Sequence, residues 1–313
     1  MTTTTQSQID RRALIAAGIT VVLWASAFVG IRDIADTFSP GSIALGRLAV
    51  AVLALAPLLL RQGWQPISRR NAVLIVASGL LWYALYFVVL NEAERHVDAG
   101  TASMLVNTGP IFVGLFAGLF LGEALPRRLL LGLAVAFGGA AVVGIATSNG
   151  ASGSALSTEG IVLCLVAAVS YAAGVTLQKP ASASVPALQL TWLACLTAMI
   201  ATLPFAPQLL GELGAAPLPK LGWLVYLGLA PTALGFTTWA YALRRTPAGR
   251  LGVTTYLIPP VVIVMAWLLL GEVPPLLAII GGAICVAGVI IVRTSNLRLP
   301  GRNPVEARSP ATD

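Results

Sequence analysis

Charge is what this sequence has least of. Only 10% of its 313 residues are Asp, Glu, Lys or Arg, where an ordinary soluble domain carries about 25%. A water-soluble globular chain of this size is therefore excluded. Histidine occurs once, at His96, and cysteine three times, at Cys164, Cys195 and Cys285. Each cysteine lies in an apolar run without ligand spacing, which argues against a disulfide framework or a metal centre. No Gly-x-x-x-x-Gly-Lys-Ser/Thr loop is present, so the chain has no ATP hydrolysis by that route. No cofactor is expected.

What is abundant is apolar sequence. Hydrophobic residues make up 57% of the chain, and the mean hydropathy is +0.88. Runs long enough to cross a bilayer, roughly 20 residues each, follow one another with short polar breaks. The pattern predicts an all-α membrane protein with ten transmembrane helices, at about 13–31, 42–60, 72–92, 98–121, 127–147, 160–179, 187–209, 220–243, 248–270 and 275–293. The first run follows Arg11 and Arg12 as a signal peptide would, but further spans follow at once, so it reads as a retained helix. With ten spans, fifteen of the nineteen basic residues fall on one side, Arg32, Arg95 and Lys220 on the other, and Arg47 inside a span. That asymmetry places both termini in the cytoplasm. It also accounts for the net charge of +7 without nucleic acid, because the basic residues are spread as loop anchors.

The chain repeats itself at an offset of 149 residues. Ala99-Gly100 falls on Ala248-Gly249, Pro110 on Pro259, Leu121-Gly122-Glu123 on Leu270-Gly271-Glu272, Gly132 on Gly281 and Gly139 on Gly288. Two copies of five spans give an inverted repeat, because five is odd and the second copy enters from the opposite face; such repeats build secondary transporters. The expected segments are a tail at 1–12, a first repeat at 13–147, a Gly/Ser linker at 148–159, a second repeat at 160–293 and a tail at 294–313. Each matched proline lies about twelve residues from its entry, ~18 Å deep and near the bilayer centre. Proline lacks an N–H and frees the carbonyl four residues back. Inside a membrane such breaks persist where protein or a water-filled cavity covers them. Pro110 and Pro259, with Pro260 beside it, therefore mark the expected hinges of a midplane site.

The stretches VLWASAFVGIR (first span) and FSPGSIALGRLAV (second span), with the two proline-to-Leu-Gly-Glu blocks and the Gly-rich helices after them, carry a resemblance to the EamA family of the drug/metabolite transporter superfamily. It covers roughly residues 13–293. The resemblance implies ten helices, a central cavity between the halves and traffic in amino acids or other small metabolites, often as export. The second half departs from the first in having no basic residue near Leu193 to match Arg47.

Arg47 is the one basic side chain within a span, and an intramembrane charge marks a functional site by default. It would hold a substrate carboxylate bidentately or form a fixed ion pair with Glu92 or Glu94. Those two acids are also the ones placed to couple protons. Tyr83, Tyr86 and Asn91 share a face of the third span at helical spacing, suited either to a pocket for a partly apolar ligand or to an interfacial aromatic belt. Asn107, one turn before Pro110, and its repeat mate Tyr256 are further candidates, with Trp24, Ser26, Tyr171 and Trp239. The glycine pairs at 132/139 and 281/288 read as helix packing.

The expected function is a secondary carrier, exporting amino acids or related metabolites by alternating access around a midplane cavity. A lipid-linked substrate flippase of the same superfamily is the alternative within transport. An intramembrane serine protease is the alternative of another class, since GASG at 150–153 supplies Ser152, although that serine lies in a polar linker. The implied partners are a small-molecule substrate, the lipid bilayer and, left open, a second copy of the chain. A high Arg-to-Lys ratio with much Ala and Gly suggests a bacterial inner membrane.

Overall fold

The computed structural model describes residues 11–121, 127–148, 157–245 and 254–294. The Gly/Ser linker with Ser152, Glu123 and the two expected tails lie wholly or almost wholly outside the described residues. Among those described, all regular structure is helical. The helices are α1 (Arg11–Ile34), α2 (Pro40–Gln62), α3 (Arg69–His96), α4 (Ala99–Val106), α5 (Gly109–Leu121), α6 (Arg127–Ser148), α7 (Thr158–Ser182), α8 (Ala187–Ala215), α9, α10 (Ile258–Leu270) and α11 (Leu276–Thr294). Helix α9 runs without a break through Leu218–Leu227, Gly228–Leu234 and Gly235–Arg245. Side-chain oxygens start several of these helices by accepting from an otherwise orphan N–H: Ser39 from Ser42, Ser68 from Asn71, Asp98 from Thr101 and Ser157 from Gly160. Burial pushes the Asp98 carboxyl above the ordinary aspartate range, against the opposing bonds from Thr101.

Among the described residues, seven helical segments are long and apolar enough to cross a membrane, and two shorter apolar helices follow at Thr255–Leu270 and Leu276–Gly288. Leu53, Leu60, Val73, Leu210 and Leu268 stand exposed on their outer faces. In water that surface would be costly; against lipid tails it is the expected exterior. The chain is thus a multi-pass membrane protein.

The 149-residue offset reappears in the backbone. Helix α3 contains a π-helical stretch at Gly79–Leu85, and α9 contains one at Gly228–Leu234. The fourth expected span breaks at Asn107-Thr108 before α5, and its counterpart has a 3₁₀ turn at Thr255–Leu257 before α10. Both breaks fall just before the matched proline. Residues 109–121 of α5 and 258–270 of α10 then coincide exactly under the offset.

The packing is exchanged between the halves. Helix α5 lies on α7 while its counterpart α10 lies on α1; likewise α3 packs on α7 and α9 on α1. Helices α6 and α11, matched by the 149-residue offset, pack on each other. Their seam is self-matched: a Cβ at Gly139 would lie 2.5 Å from the Gly281 carbonyl, and one at Gly288 would lie 2.6 Å from the Gly132 carbonyl. Small residues permit this backbone approach. Between them the Cys285 thiol donates to the carbonyl of Ala136, its own repeat mate, at 3.1 Å.

Candidate functional site

A cavity lies between the halves, with about 650 Å³ of space unfilled by protein atoms, counting the part that opens to the surroundings. Its walls come from both repeats: Trp24 and Phe28 of α1, Arg47 of α2, four residues of α3, Ser103 of α4, Asn107, Tyr171 of α7, Phe236 of α9, Thr255 and Ile258.

Arg47 is 3% exposed and is the one charged side chain on the described cavity wall. Its Nε donates to Thr232 Oγ1 at 3.0 Å, and its guanidinium carbon lies 3.9 Å from the centre of the Phe87 ring. The π-helical stretch of α9 sets up this contact. Pro231 lies inside that stretch and has no N–H for a regular ladder. The Thr232 hydroxyl donates to the Leu227 carbonyl at 2.6 Å, which turns an oxygen lone pair toward Arg47. Among the described residues, the two terminal nitrogens of Arg47 have no hydrogen-bond acceptor and border the cavity. A guanidinium fork held at its base and vacant at its tip suits a planar anion such as a carboxylate.

The ion pair expected between Arg47 and Glu92 or Glu94 is not formed. Glu92 Oε1 sits 3.0 Å from His96 Nε2, and neither carboxyl oxygen of Glu94 has a hydrogen-bond partner. The reason is distance along α3: Glu94 lies seven residues beyond Phe87, on which Arg47 rests, or about 10 Å of helix rise.

The proline breaks reach the site through backbone groups. Pro259 has no N–H for Thr255 four residues back, so the Thr255 carbonyl accepts instead from the Ile258 N–H and from Asn107 Nδ2 at 3.1 Å. One repeat's broken helix is thereby pinned to the other's. Gly109 lets the break lie close against α7, since a Cβ there would come within 2.4 Å of the Tyr171 ring. Pro110 and Pro259 are buried, whereas Pro260 faces outward and lines nothing in the cavity.

Of the residues singled out from sequence, Trp24, Arg47, Tyr86, Asn107 and Tyr171 meet at the cavity. Five others do not. The Ser26 hydroxyl lies 2.7 Å from Tyr226 of α9. Tyr83 receives a bond from Gln178 at 3.4 Å behind the wall. Asn91 donates to the Pro40 carbonyl at 2.9 Å, tying α3 to the start of α2. Trp239 stacks behind Trp24, ring centres 5.1 Å apart, and Tyr256 packs with Ile111 and Ala136. On α3 the cavity is lined by Trp82, Tyr86, Phe87 and Leu90, while Tyr83 and Asn91 turn to neighbouring helices. Sequence reading missed Trp82, Ser103, Thr232, Phe236 and Thr255. Phe236 was findable, because the 149-residue offset places it on Phe87. The two rings sit 6.1 Å apart and join Trp24, Trp82 and Trp239 in an aromatic cluster at the end of the cavity nearer Arg11.

At the other end lies a charged vestibule formed by Arg32, Asp33, Asp36, Arg95, Lys220 and Glu272. Arg32 Nε meets Glu272 Oε1 at 2.7 Å, and Arg32 Nη1 donates to the Glu94 carbonyl at 2.6 Å. Lys220 holds Asp33 and Asp36. Partial burial pushes the Asp36 carboxyl up, but bonds from Thr37 and Lys220 and the Lys220 charge together outweigh it and hold the group below its ordinary range.

Comparison with known proteins agrees with this architecture. The EamA-like transporter family matches the chain twice, over residues 11–145 and 158–294. A protein of Streptantibioticus cattleyicolor described as a "Probable terminal-alkyne amino-acid exporter" is 38% identical over 299 residues, covering 96% of this chain and 98% of its own. The pseudopaline exporter CntI of Pseudomonas aeruginosa is 29% identical, covering 83% of this chain and 88% of its own. A solved crystal structure aligns with a TM-score of 0.60 at 19% identity, over 92% of this chain and 99% of its own, a likeness of fold. Two family matches that together take in nearly the whole sequence, each ending on one of the paired helices α6 and α11, establish that this chain belongs to the EamA-like transporter family.

Proposed function

We propose that this protein is a secondary exporter of amino acids or closely related carboxylate metabolites, working by alternating access around the cavity between its halves. The observation that carries this reading is Arg47: a buried guanidinium on an otherwise uncharged and mostly aromatic and aliphatic wall, anchored through Nε, with its terminal nitrogens vacant among the described residues. The wall around it suits an apolar side chain, and its rings offer π faces to an ammonium. A small apolar amino acid meets all three features, and the exporter name of the Streptantibioticus relative points the same way. In this reading the chain has ten spans in two inverted repeats, at 13–147 and 160–293, with both termini in the cytoplasm of a bacterial inner membrane. The asymmetric basic loops support that orientation, and the kinks at Pro110 and Pro259 support rocking of one repeat against the other.

The test is counterflow in proteoliposomes with labelled L-leucine, L-phenylalanine and L-propargylglycine, the last a terminal-alkyne amino acid, beside their carboxamides. Exchange of at least one acid but not its carboxamide is expected, and Arg47→Gln should abolish it. If carboxamides exchange as well as acids, or if Arg47→Gln retains exchange, the carboxylate site is wrong. Movement of a lipid-linked substrate without movement of any free amino acid would favour a flippase.

A further inference from the structure

Glu94 has no place in the carboxylate site, yet it is the most unusual acid among the described residues. It is 0% exposed, and neither carboxyl oxygen has a hydrogen-bond partner. The half-buried acids around it differ. Glu272 pairs with Arg32, Glu92 with His96, Asp33 with Lys220, and Asp98 caps α4. Glu212 accepts the Ser39 N–H. An ionised carboxylate left alone inside a membrane protein costs several kcal/mol, and a proton removes that cost by removing the charge. A structural carboxyl would be expected to bond something; among the described residues this one bonds nothing.

Its position matters as much. Leu90, one turn earlier on α3, lines the cavity, while Arg32, whose Nη1 is bound to the Glu94 backbone carbonyl, lines the vestibule. Glu94 therefore stands in the partition between the two. The charged and titratable groups acting on it are Arg32 from α1, Arg47 from α2, Asp98 at the start of α4, Cys164 from α7, Glu272 beyond α10, and Tyr86 of its own helix. Two guanidiniums face two carboxylates, so the surroundings hold no surplus positive charge to fix another anion.

We propose that Glu94 is the proton-binding site of this carrier, exchanging one inward proton for each exported solute. The proposal rests on the exporter reading and adds its driving ion. With Glu94 protonated, Arg32 is free to hold Glu272, and the partition is shut, as in this structure. When solute occupies Arg47, Glu94 gives its proton to water reaching the cavity from the cytoplasmic side. The new carboxylate then draws Arg32 away from Glu272, the contact between α1 and the segment after α10 opens, and solute leaves through the vestibule. A proton from outside re-forms the Glu94 O–H bond, Arg32 returns to Glu272, and the empty carrier closes. The cycle moves one proton in and one solute out, with no other reactant.

Two measurements test this on the full-length protein in liposomes, comparing wild type with Glu94→Gln, Glu94→Asp and Glu92→Gln. Infrared difference spectra across pH should show the C=O stretch of a protonated carboxylic acid in wild type, shifted in Glu94→Asp and missing in Glu94→Gln. L-leucine or L-propargylglycine, whichever exchanges, should be driven outward by a one-unit pH gradient to a ratio approaching tenfold. Glu94→Gln, which cannot draw Arg32 from Glu272, should lose exchange and the gradient's effect together, while Glu94→Asp and Glu92→Gln keep both. An unchanged carboxylic-acid band in Glu94→Gln, or full gradient drive in that variant, would overturn the proposal. If no amino acid exchanges in wild type, the exporter reading fails, and the infrared band still decides whether Glu94 carries a proton.

Discussion

Gly138 and Gly139 are neighbours on α6, and alanine should do opposite things at the two positions. A Cβ at Gly138 meets nothing within 4 Å. A Cβ at Gly139 meets the Gly281 carbonyl at 2.5 Å and the Cys285 nitrogen at 2.7 Å. Ordinary contact begins at 3.4 Å, so the Gly139 methyl is 0.9 Å too close. The opposing atoms are backbone of α11 and have no rotamer through which to yield. The two helices must part, and overpacking of that kind costs about 1–3 kcal/mol. At Gly138 the methyl enters open space and gains about 0.5–1 kcal/mol of helix propensity. Thermal unfolding of the purified protein in detergent, followed by tryptophan fluorescence, should therefore rank Gly138→Ala at or above wild type and Gly139→Ala below it, about 1–3 kcal/mol apart, since the propensity gain is common to both. Gly288→Ala should fall with Gly139→Ala, because its Cβ lies 2.6 Å from the Gly132 carbonyl. Equal stability of the two neighbouring variants would show that the α6–α11 seam is not as close as described, and the self-matched packing of the repeats would fall with it.

Other outcomes follow from single contacts. Thr232→Val keeps the side-chain volume but removes the acceptor for Arg47 Nε, a bond to a charged group worth about 1.5–3 kcal/mol; half-saturation for an exported amino acid should rise at least tenfold, with Thr232→Ser restoring it. Asn91→Ala leaves the Pro40 carbonyl without its side-chain donor and should lower thermal stability by about 1–3 kcal/mol without altering the concentration dependence of transport. Arg47→Lys keeps the charge and loses the fork, so it should retain weak exchange where Arg47→Gln has none; equal activity of the lysine variant and wild type would argue against a bidentate contact.

Much of the site was legible because membrane chemistry leaves few explanations for certain residues. A proline in the middle of an apolar run, repeated at the same offset, has to be accommodated by something, and Pro110 and Pro259 do mark the breaks beside the cavity. Arg47 stood out because a charge in a span is costly. What could not be read was which way each residue faces. The seven-residue stretches at Gly79–Leu85 and Gly228–Leu234 adopt a wider helix that no propensity rule announces, and of the face expected on α3 Tyr86 lines the cavity while Tyr83 and Asn91 do not. Thr232 was hidden for the same reason: its link to Leu227 exists only in that wider turn. The ion pair assigned to Arg47 failed because depth alone was matched, while Phe87 and Thr232 lay closer.

The exchanged packing of α1 has a consequence for how the molecule is made. Its long-range neighbours include α9 and α10, which are synthesised some two hundred residues after it. At roughly 5–20 residues per second, the ribosome needs about 10–40 s to deliver the start of that company. Until then α1 stands in lipid without those permanent neighbours, and a chain cut at the linker would strand it there.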